Sequence, residues 1–119
     1  MSEYIDEELK TVEVKDSKGN VLEKKDFYIS KFPAVLGREI MMRYSVSLSK
    51  INEDYGTNEE ILRKIMKFAR VELPDGRRLA LDSETAINNH VPSGEMLSAL
   101  EQAILAHNFS FFRDGEPSA

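Results

Sequence analysis

The pattern of apolar and polar positions is most regular over Phe32–Leu73, where it predicts two amphipathic helices joined by a short polar turn. Pro33 suits the first turn of the first helix, because its missing N–H would have no intrahelical partner there. Apolar residues then recur three or four positions apart, which places them on one helix face: Leu36, Ile40, Tyr44, Leu48 and Ile51. Gly37 lies inside this segment, so the alternative is a helix that begins after it.

The second helix is predicted to begin at Thr57, because Thr57 and Glu60 form a Thr-x-x-Glu capping box. Its apolar face is broad and comprises Ile61, Leu62, Ile65, Met66, Phe68, Ala69 and Leu73. The end of this helix has a second interpretation. Residues 70–73 could form a short strand that pairs with residues 78–81 across the Pro-Asp-Gly turn, and the two interpretations stay open at the level of sequence.

Upstream of the helices, β-branched and aromatic residues flank a Gly-Asn turn, which predicts a small β-hairpin from Lys10 to Ile29. Residues 1–9 are acidic and are predicted to be a flexible N-terminus. Residues 10–112 are predicted to form one globular domain, and residues 113–119 a flexible tail.

Downstream, Ser83 or Asp82 is predicted to cap a short helix, and Ser93 a last helix that ends at Asn108. Together the segments predict a mainly α fold of the α+β class. It would have about four helices, the small N-terminal hairpin and, in the second interpretation above, another short hairpin near residues 71–81.

The composition excludes or disfavours several classes of function. With 119 residues the chain fits one domain. Its formal net charge of −5 disfavours non-specific binding to nucleic acid or to anionic membranes. The chain has no cysteine, which excludes disulfides and thiolate chemistry. No apolar run approaches the roughly 20 residues of a membrane span, and the N-terminus lacks the apolar core of a signal peptide.

No motif predicts a catalytic, cofactor or metal site. His90 and His107 lie far apart in the sequence and lack the ligand spacing of a zinc site, so we expect structural roles for both. Phosphate-binding glycine loops and a Gly-x-Ser-x-Gly nucleophile elbow are absent from the sequence. We therefore predict that the protein is not an enzyme and uses no cofactor or metal.

One basic group is the best candidate for contacts with nucleic acid: Arg63, Lys64, Lys67 and Arg70, with Arg77 and Arg78. The acidic loop before the second helix and the acidic chain oppose phosphate binding. We expect this basic face to be solvated or to contact an acidic protein segment, and a DNA-binding regulator remains a minor alternative.

Candidate partner-binding residues are aromatic or are methionines: Met41, Met42, Tyr44, Phe109, Phe111 and Phe112. Met41 and Met42 are adjacent and point about 100° apart on a helix, and methionine adapts to irregular partner surfaces. The phenylalanines could instead close over the core of the domain itself.

Three runs of the sequence carry a family resemblance: FYISKFPAVLGREIMMRYSVSL, IMKFARVELPDGRRLALDSETAINNHVP and LEQAILAHNFSFF. In pattern and order they resemble tail assembly chaperones of long-tailed, non-contractile bacteriophages and their prophages. The resemblance covers residues 27–112 and is to the short form of these proteins.

The resemblance implies a non-enzymatic protein of the host cell cytoplasm that is absent from the mature virion. It would bind the tape measure protein, keep it soluble and help tail tube subunits assemble around it. Self-association into oligomers is also implied, as is contact with the tail tube protein through a frameshifted longer product. The alternative is a minor tail or connector protein, which would remain in the virion.

Overall fold

The computed structural model describes residues 5–49 and 55–109. The elements of this part of the chain are β1 (Ile5–Lys15), β2 (Val21–Lys31), α1 (Ala34–Ser49), α2 (Tyr55–Met66), β3 (Ala69–Glu72), β4 (Arg78–Ala80), α3 (Glu84–His90) and α4 (Gly94–Asn108). The strands form one antiparallel sheet in the order β1-β2-β3-β4.

The prediction of a mainly α fold with a small hairpin is wrong, because the sheet is as prominent as the helices. Strands β1 and β2 have 11 residues each. β1 begins at Ile5, inside the segment predicted to be flexible, and β2 runs on to Lys31. The extra length of β1 includes Glu7, which two arginines from β3 and β4 hold in place. A local pattern of acidic residues gives no sign of such distant partners.

Strand β3 joins the two hairpins into one sheet. Of the two interpretations for residues 70–73, the structure has the strand. α2 ends at Met66, and Ala69 then pairs with Ile29 of β2. Ala69 and Val71 are buried, so the strand is stabilised by its contribution to the core as well as by its backbone hydrogen bonds. The second hairpin near residues 71–81 therefore exists, but as part of the larger sheet.

One face of the sheet carries the core, and the helices cover it. Alternate residues of the long strands point to that face, because successive side chains of a strand point to opposite sides of the sheet. α4 packs on β1 and β2. The largest fully buried side chains come from both layers: Phe27, Ile29, Ile40, Ile61, Ile65, Met66, Leu81, Met96, Leu100, Ile104, Leu105 and Val71. The opposite face is solvated and mostly polar.

The predicted helix starts are correct at α3 and α4. The hydroxyl oxygen of Ser83 accepts a hydrogen bond from the Ala86 amide, and that of Ser93 accepts one from the Met96 amide. The predicted N-cap of α2 is wrong: the helix begins at Tyr55, so Thr57 lies inside it rather than at its N-cap. α1 begins before Gly37, at Ala34.

Phe109 closes the core at the end of α4. Its side chain is buried, and the centre of its ring lies 5.8 Å from the centre of the Phe32 ring. Asn108 links the end of α4 to the segment between β2 and α1, since its Oδ1 accepts a hydrogen bond from the Phe32 amide at 2.7 Å. Of the alternatives for this aromatic residue, the structure therefore places it within the domain's own core.

Candidate functional site

An exposed apolar patch lies on α1. Val35 is 85% exposed, Met42 is 59% exposed and Met41 is 40% exposed. Val35 and Met42 are seven positions apart, which is close to two helical turns, so they lie on one face of the helix. Ile40 lies on a different face and is fully buried. We call Val35, Met41 and Met42 the α1 patch, and it contains two of the predicted partner-binding residues.

The other predicted partner-binding residues are placed differently. Phe109 is in the core, as described above. The side chain of Tyr44 and all of Phe111 and Phe112 lie outside the described part of the chain. The predicted group therefore comes together in the structure only at Met41 and Met42.

A groove runs between α2, α3 and α4. Leu62, Ile87 and Leu97, one from each helix, supply its apolar floor. Glu59, Arg63, Glu84 and Asn88 complete the lining of a cavity of about 490 Å³. We call this cavity and its extension along α3 the α2–α3–α4 groove.

The groove extends past the end of α3. A second cavity, of about 300 Å³, shares Ile87, Asn88 and Leu97 with the first and continues to the turn between α3 and α4. The extension is lined by Val91, Pro92, Ser93 and Gly94. A long depression with an apolar floor and a polar rim is the kind of surface that receives an amphipathic helix.

The rim of the groove carries both signs of charge. Arg63 of α2 and Glu84 of α3 form an ion pair at 3.1 Å, and both side chains are largely exposed. Such an exposed pair contributes little to stability, so either charge can interact with a partner at low cost. The groove could not be predicted from the sequence because its residues come from three helices. The apolar pattern of one helix does not show which residues of the other two helices lie beside it.

A network of ion pairs holds α1 against α2 beside the groove. Glu39 of α1 accepts hydrogen bonds from Lys64 at 2.6 Å and from Arg43 at 3.0 Å. Arg43 also donates to Glu60 of α2 at 3.0 Å. Hydrogen bonds from Lys64 and Arg43 lower the pKa of Glu39, and hydrogen bonds to Glu60 and Glu39 raise the pKa of Arg43. The network orients α1, and with it the α1 patch, relative to α2.

The basic group predicted as a nucleic-acid candidate is largely neutralised within the chain. Each of five of its members forms an ion pair with a carboxylate: Arg63 with Glu84, Lys64 with Glu39, Arg70 and Arg78 with Glu7, and Arg77 with Asp75. A phosphate would have to compete with these carboxylates. The arrangement therefore disfavours nucleic acid as a ligand of this face.

His90 forms a contact through its backbone, whereas His107 forms one through its ring. The carbonyl of His90 accepts a hydrogen bond from Lys25 at 2.5 Å, and Nε2 of the buried His107 lies 3.2 Å from the carbonyl oxygen of Asp6. Residues 5–49 and 55–109 contain no cluster of three His, Cys, Asp or Glu side chains suited to a metal ion. In the same part of the chain, no helix is both long enough and apolar enough to cross a bilayer.

Comparisons of the chain with protein-family models, with curated proteins and with solved structures found no match. The geometry of the chain and the resemblance in its sequence pattern are therefore what indicates a function. Among the described residues, the α2–α3–α4 groove and the α1 patch are two surfaces with apolar character that a partner could contact.

Proposed function

We propose that this protein is a phage tail assembly chaperone that binds the tape measure protein, keeps it soluble and helps tail tube subunits assemble around it. The observation that carries the proposal is the α2–α3–α4 groove, with its floor of Leu62, Ile87 and Leu97. The sequence resemblance over residues 27–112 supports the same function. In this proposal the protein acts by binding and has no catalytic residues.

The groove suits a helical client. A tape measure protein is long and helix-rich, and its helices carry apolar seams that must be shielded before the tail tube surrounds them. An amphipathic helix inserts apolar side chains at positions i, i+3, i+4 and i+7 into such a groove. Arg63 and Glu84 at the rim would then meet charged residues beside the seam of the client, which favours one register over others.

The α1 patch is a second contact in this proposal. Val35 and Met42 project from the outside of the helix layer, where methionine can adapt to more than one client sequence. We propose that the patch contacts either the next segment of the client or a neighbouring copy of the chain. The oligomers, the contact with the tail tube protein through a longer frameshifted product and the location in the host cytoplasm belong to the same proposal.

Co-expression tests the proposal directly. The tape measure protein of the same phage should become soluble and co-purify with this chain, and it should stay insoluble without it. The double variant Leu62→Ser/Leu97→Ser should lose this effect, because two of the three floor residues become polar. The matched control is Leu22→Ser, which changes an exposed leucine of the hairpin and should leave solubilisation intact.

Two results would contradict the proposal. One is a tape measure protein that is equally insoluble with and without this chain. The other is the presence of this chain in purified mature virions at stoichiometric amounts, measured by mass spectrometry, because that result indicates a minor tail or connector protein.

A further inference from the structure

The charged side chains of the α2–α3–α4 groove are few and are confined to the larger of its two cavities. That cavity is lined by Glu59 and Arg63 of α2 and by Glu84 of α3. The extension, along the end of α3 and the turn to α4, has no charged side chain among the described residues that line it. The described lining of the whole groove therefore contains two carboxylates and one guanidinium.

Arg63 and Glu84 neutralise one another. An Nη atom of Arg63 donates a hydrogen bond to Glu84 Oε1 at 3.1 Å, from the α2 wall of the groove to the α3 wall. A partner that presents a charge to this pair meets both signs at nearly the same distance, so attraction and repulsion largely cancel. The pair therefore gives the groove little preference for the sign of a partner's charge.

Glu59 is the charge that remains. It precedes Arg63 by four positions, a spacing at which a carboxylate and a guanidinium on one helix can pair, but Arg63 pairs with Glu84 instead. Glu59 forms no ion pair with any other residue of the described part of the chain. Its side chain is nevertheless half-buried, and salt screens a partly buried charge less than an exposed one.

Glu59 lies beside the apolar floor of the groove. Leu62 follows it by three positions, which places the two side chains on neighbouring turns of one face of α2, and both line the same cavity. Asn88 is the polar residue that α3 contributes there together with Glu84, and its amide group carries no charge that would neutralise a carboxylate. A helix seated on the floor therefore has the Glu59 carboxylate at its flank.

We propose that the groove selects amphipathic helices that carry a lysine or arginine beside their apolar seam, and that Glu59 is the specificity-determining residue that binds this cation. An ionised carboxylate offers only hydrogen-bond acceptors, and its bonds from ammonium or guanidinium groups are stronger than those between neutral groups. The long stem of lysine or arginine also covers apolar surface while its charge reaches the rim. An aspartate or glutamate at the same position of the client is repelled.

The same contact fixes the position of the client helix along the groove. Sliding the helix by one turn moves its cation about 5.4 Å away from Glu59, whereas apolar side chains of the seam still meet the floor. The floor thus supplies affinity and Glu59 supplies the register. This inference rests on the function proposed above, because it names the class of tape measure segment that the groove takes: an amphipathic helix with a basic flank.

Binding of two model peptides to the full chain tests the inference. Both peptides form the same amphipathic helix and differ only beside the seam, where one has lysine and the other glutamate. Measured by fluorescence anisotropy at low salt, the lysine peptide should bind the parent chain about 3–10-fold more tightly, as expected of charge pairs at an exposed rim. The preference should disappear in Glu59→Gln and reverse in Glu59→Lys. In about 1 M salt, where the screening length is about 3 Å, it should shrink in the parent chain.

Two further variants locate the effect. Glu13→Gln removes the same charge from an exposed position of β1 and should keep the preference of the parent chain. Leu62→Ser/Leu97→Ser should weaken the binding of both peptides, because both use the floor of the groove. Circular dichroism of each variant, compared with the parent chain, shows whether the fold is retained.

The outcomes separate this inference from the proposed function. Equal affinities of the parent chain for the two peptides, or a preference that Glu59→Gln leaves unchanged, would overturn the role of Glu59 and leave the groove as the client site. Failure of both peptides to bind, or binding that Leu62→Ser/Leu97→Ser does not weaken, would overturn the inference and also remove the groove as support for the proposed function.

Discussion

The carboxylate of Glu7 accepts two hydrogen bonds from the guanidinium of Arg70, at 2.8 Å from Nε and 2.6 Å from an Nη atom. The two residues are 63 positions apart in the sequence. Arg78 of β4 donates to the same carboxylate at 2.8 Å, and its guanidinium lies 3.7 Å from the centre of the Tyr28 ring. One acidic residue at the start of β1 thereby links the outer strands of the sheet across its solvated face.

Glu7→Gln should destabilise the domain by about 1–3 kcal/mol, because two arginine side chains lose a charged acceptor at a site where the Glu7 side chain is only 10% exposed. The measurement is urea unfolding followed by circular dichroism. The control is Glu13→Gln, which removes an exposed pair with Lys15 and should cost no more than about 0.5 kcal/mol. Equal effects of the two variants would contradict a structural role for Glu7.

The contribution of Glu7 should depend on pH. Burial by itself raises the pKa of Glu7, but hydrogen bonds and charges from Arg70 and Arg78 outweigh it and hold the pKa below its usual range. A carboxyl group whose pKa is lowered by folding stabilises the fold above its unfolded pKa, and this stabilisation is lost as pH falls through the folded pKa.

The stability difference between the parent chain and Glu7→Gln should therefore be full near neutral pH and shrink below about pH 4, where an unfolded carboxyl group becomes protonated. Unfolding free energies of both proteins, measured from neutral to acidic pH, test this expectation. A difference that stays constant down to about pH 3 would show that the ionised carboxylate is not what matters.

Asn108→Ala should loosen the junction between α4 and the chain that connects β2 to α1. The Asn108 side chain accepts from the Phe32 amide at 2.7 Å and donates to the carbonyls of Ile104 and Ser30 at 2.9 and 3.3 Å. Leaving these groups without partners should cost about 1–3 kcal/mol, measured by thermal unfolding. Asn89→Ala, at an exposed position of α3, is the matched control and should be near neutral.

Two glycines should respond in opposite ways to the same substitution. Gly37 lies inside α1, and a Cβ there would meet the Cβ of Phe32 at 3.5 Å, an ordinary contact. Gly37→Ala should therefore stabilise the domain by about 0.5–1 kcal/mol, since alanine loses less backbone entropy in a helix. Gly19 has a φ of +88° in the β1–β2 turn, so Gly19→Ala should destabilise by about 1–2 kcal/mol. A change in the same direction for both, in denaturant unfolding, would contradict this reasoning.

Features that depend on a few neighbouring residues were predictable from the sequence. The caps at Ser83 and Ser93 are recognisable because each hydroxyl bonds an amide three positions away. The turn between β1 and β2 is equally local, since the Asp16 carboxylate accepts from the amides of Lys18 and Asn20. The apolar periodicity of α4 was sufficient to place Met96, Leu100 and Ile104 in the core.

Features that depend on distant partners were not predictable. Residues 69–72 have a pattern that suits either a helix end or a strand, and the pairing with β2 decides between them. The sequence marked Met41 and Met42 as candidate contacts, and both are exposed on α1. It gave no sign that Leu62, Ile87 and Leu97 would line one groove.

The sequence by itself therefore determined the local elements of this protein: where most helices and turns lie, which side of each is apolar, and that no catalytic motif is present in it. The tertiary structure alone decided that β1 extends through Glu7, that two hairpins merge into one sheet, and that three helices leave a groove between them. The physical reason is the range of the interactions. Capping and turn geometry act over a few residues, whereas strand pairing, partly buried ion pairs and grooves need partners that only the folded chain brings together.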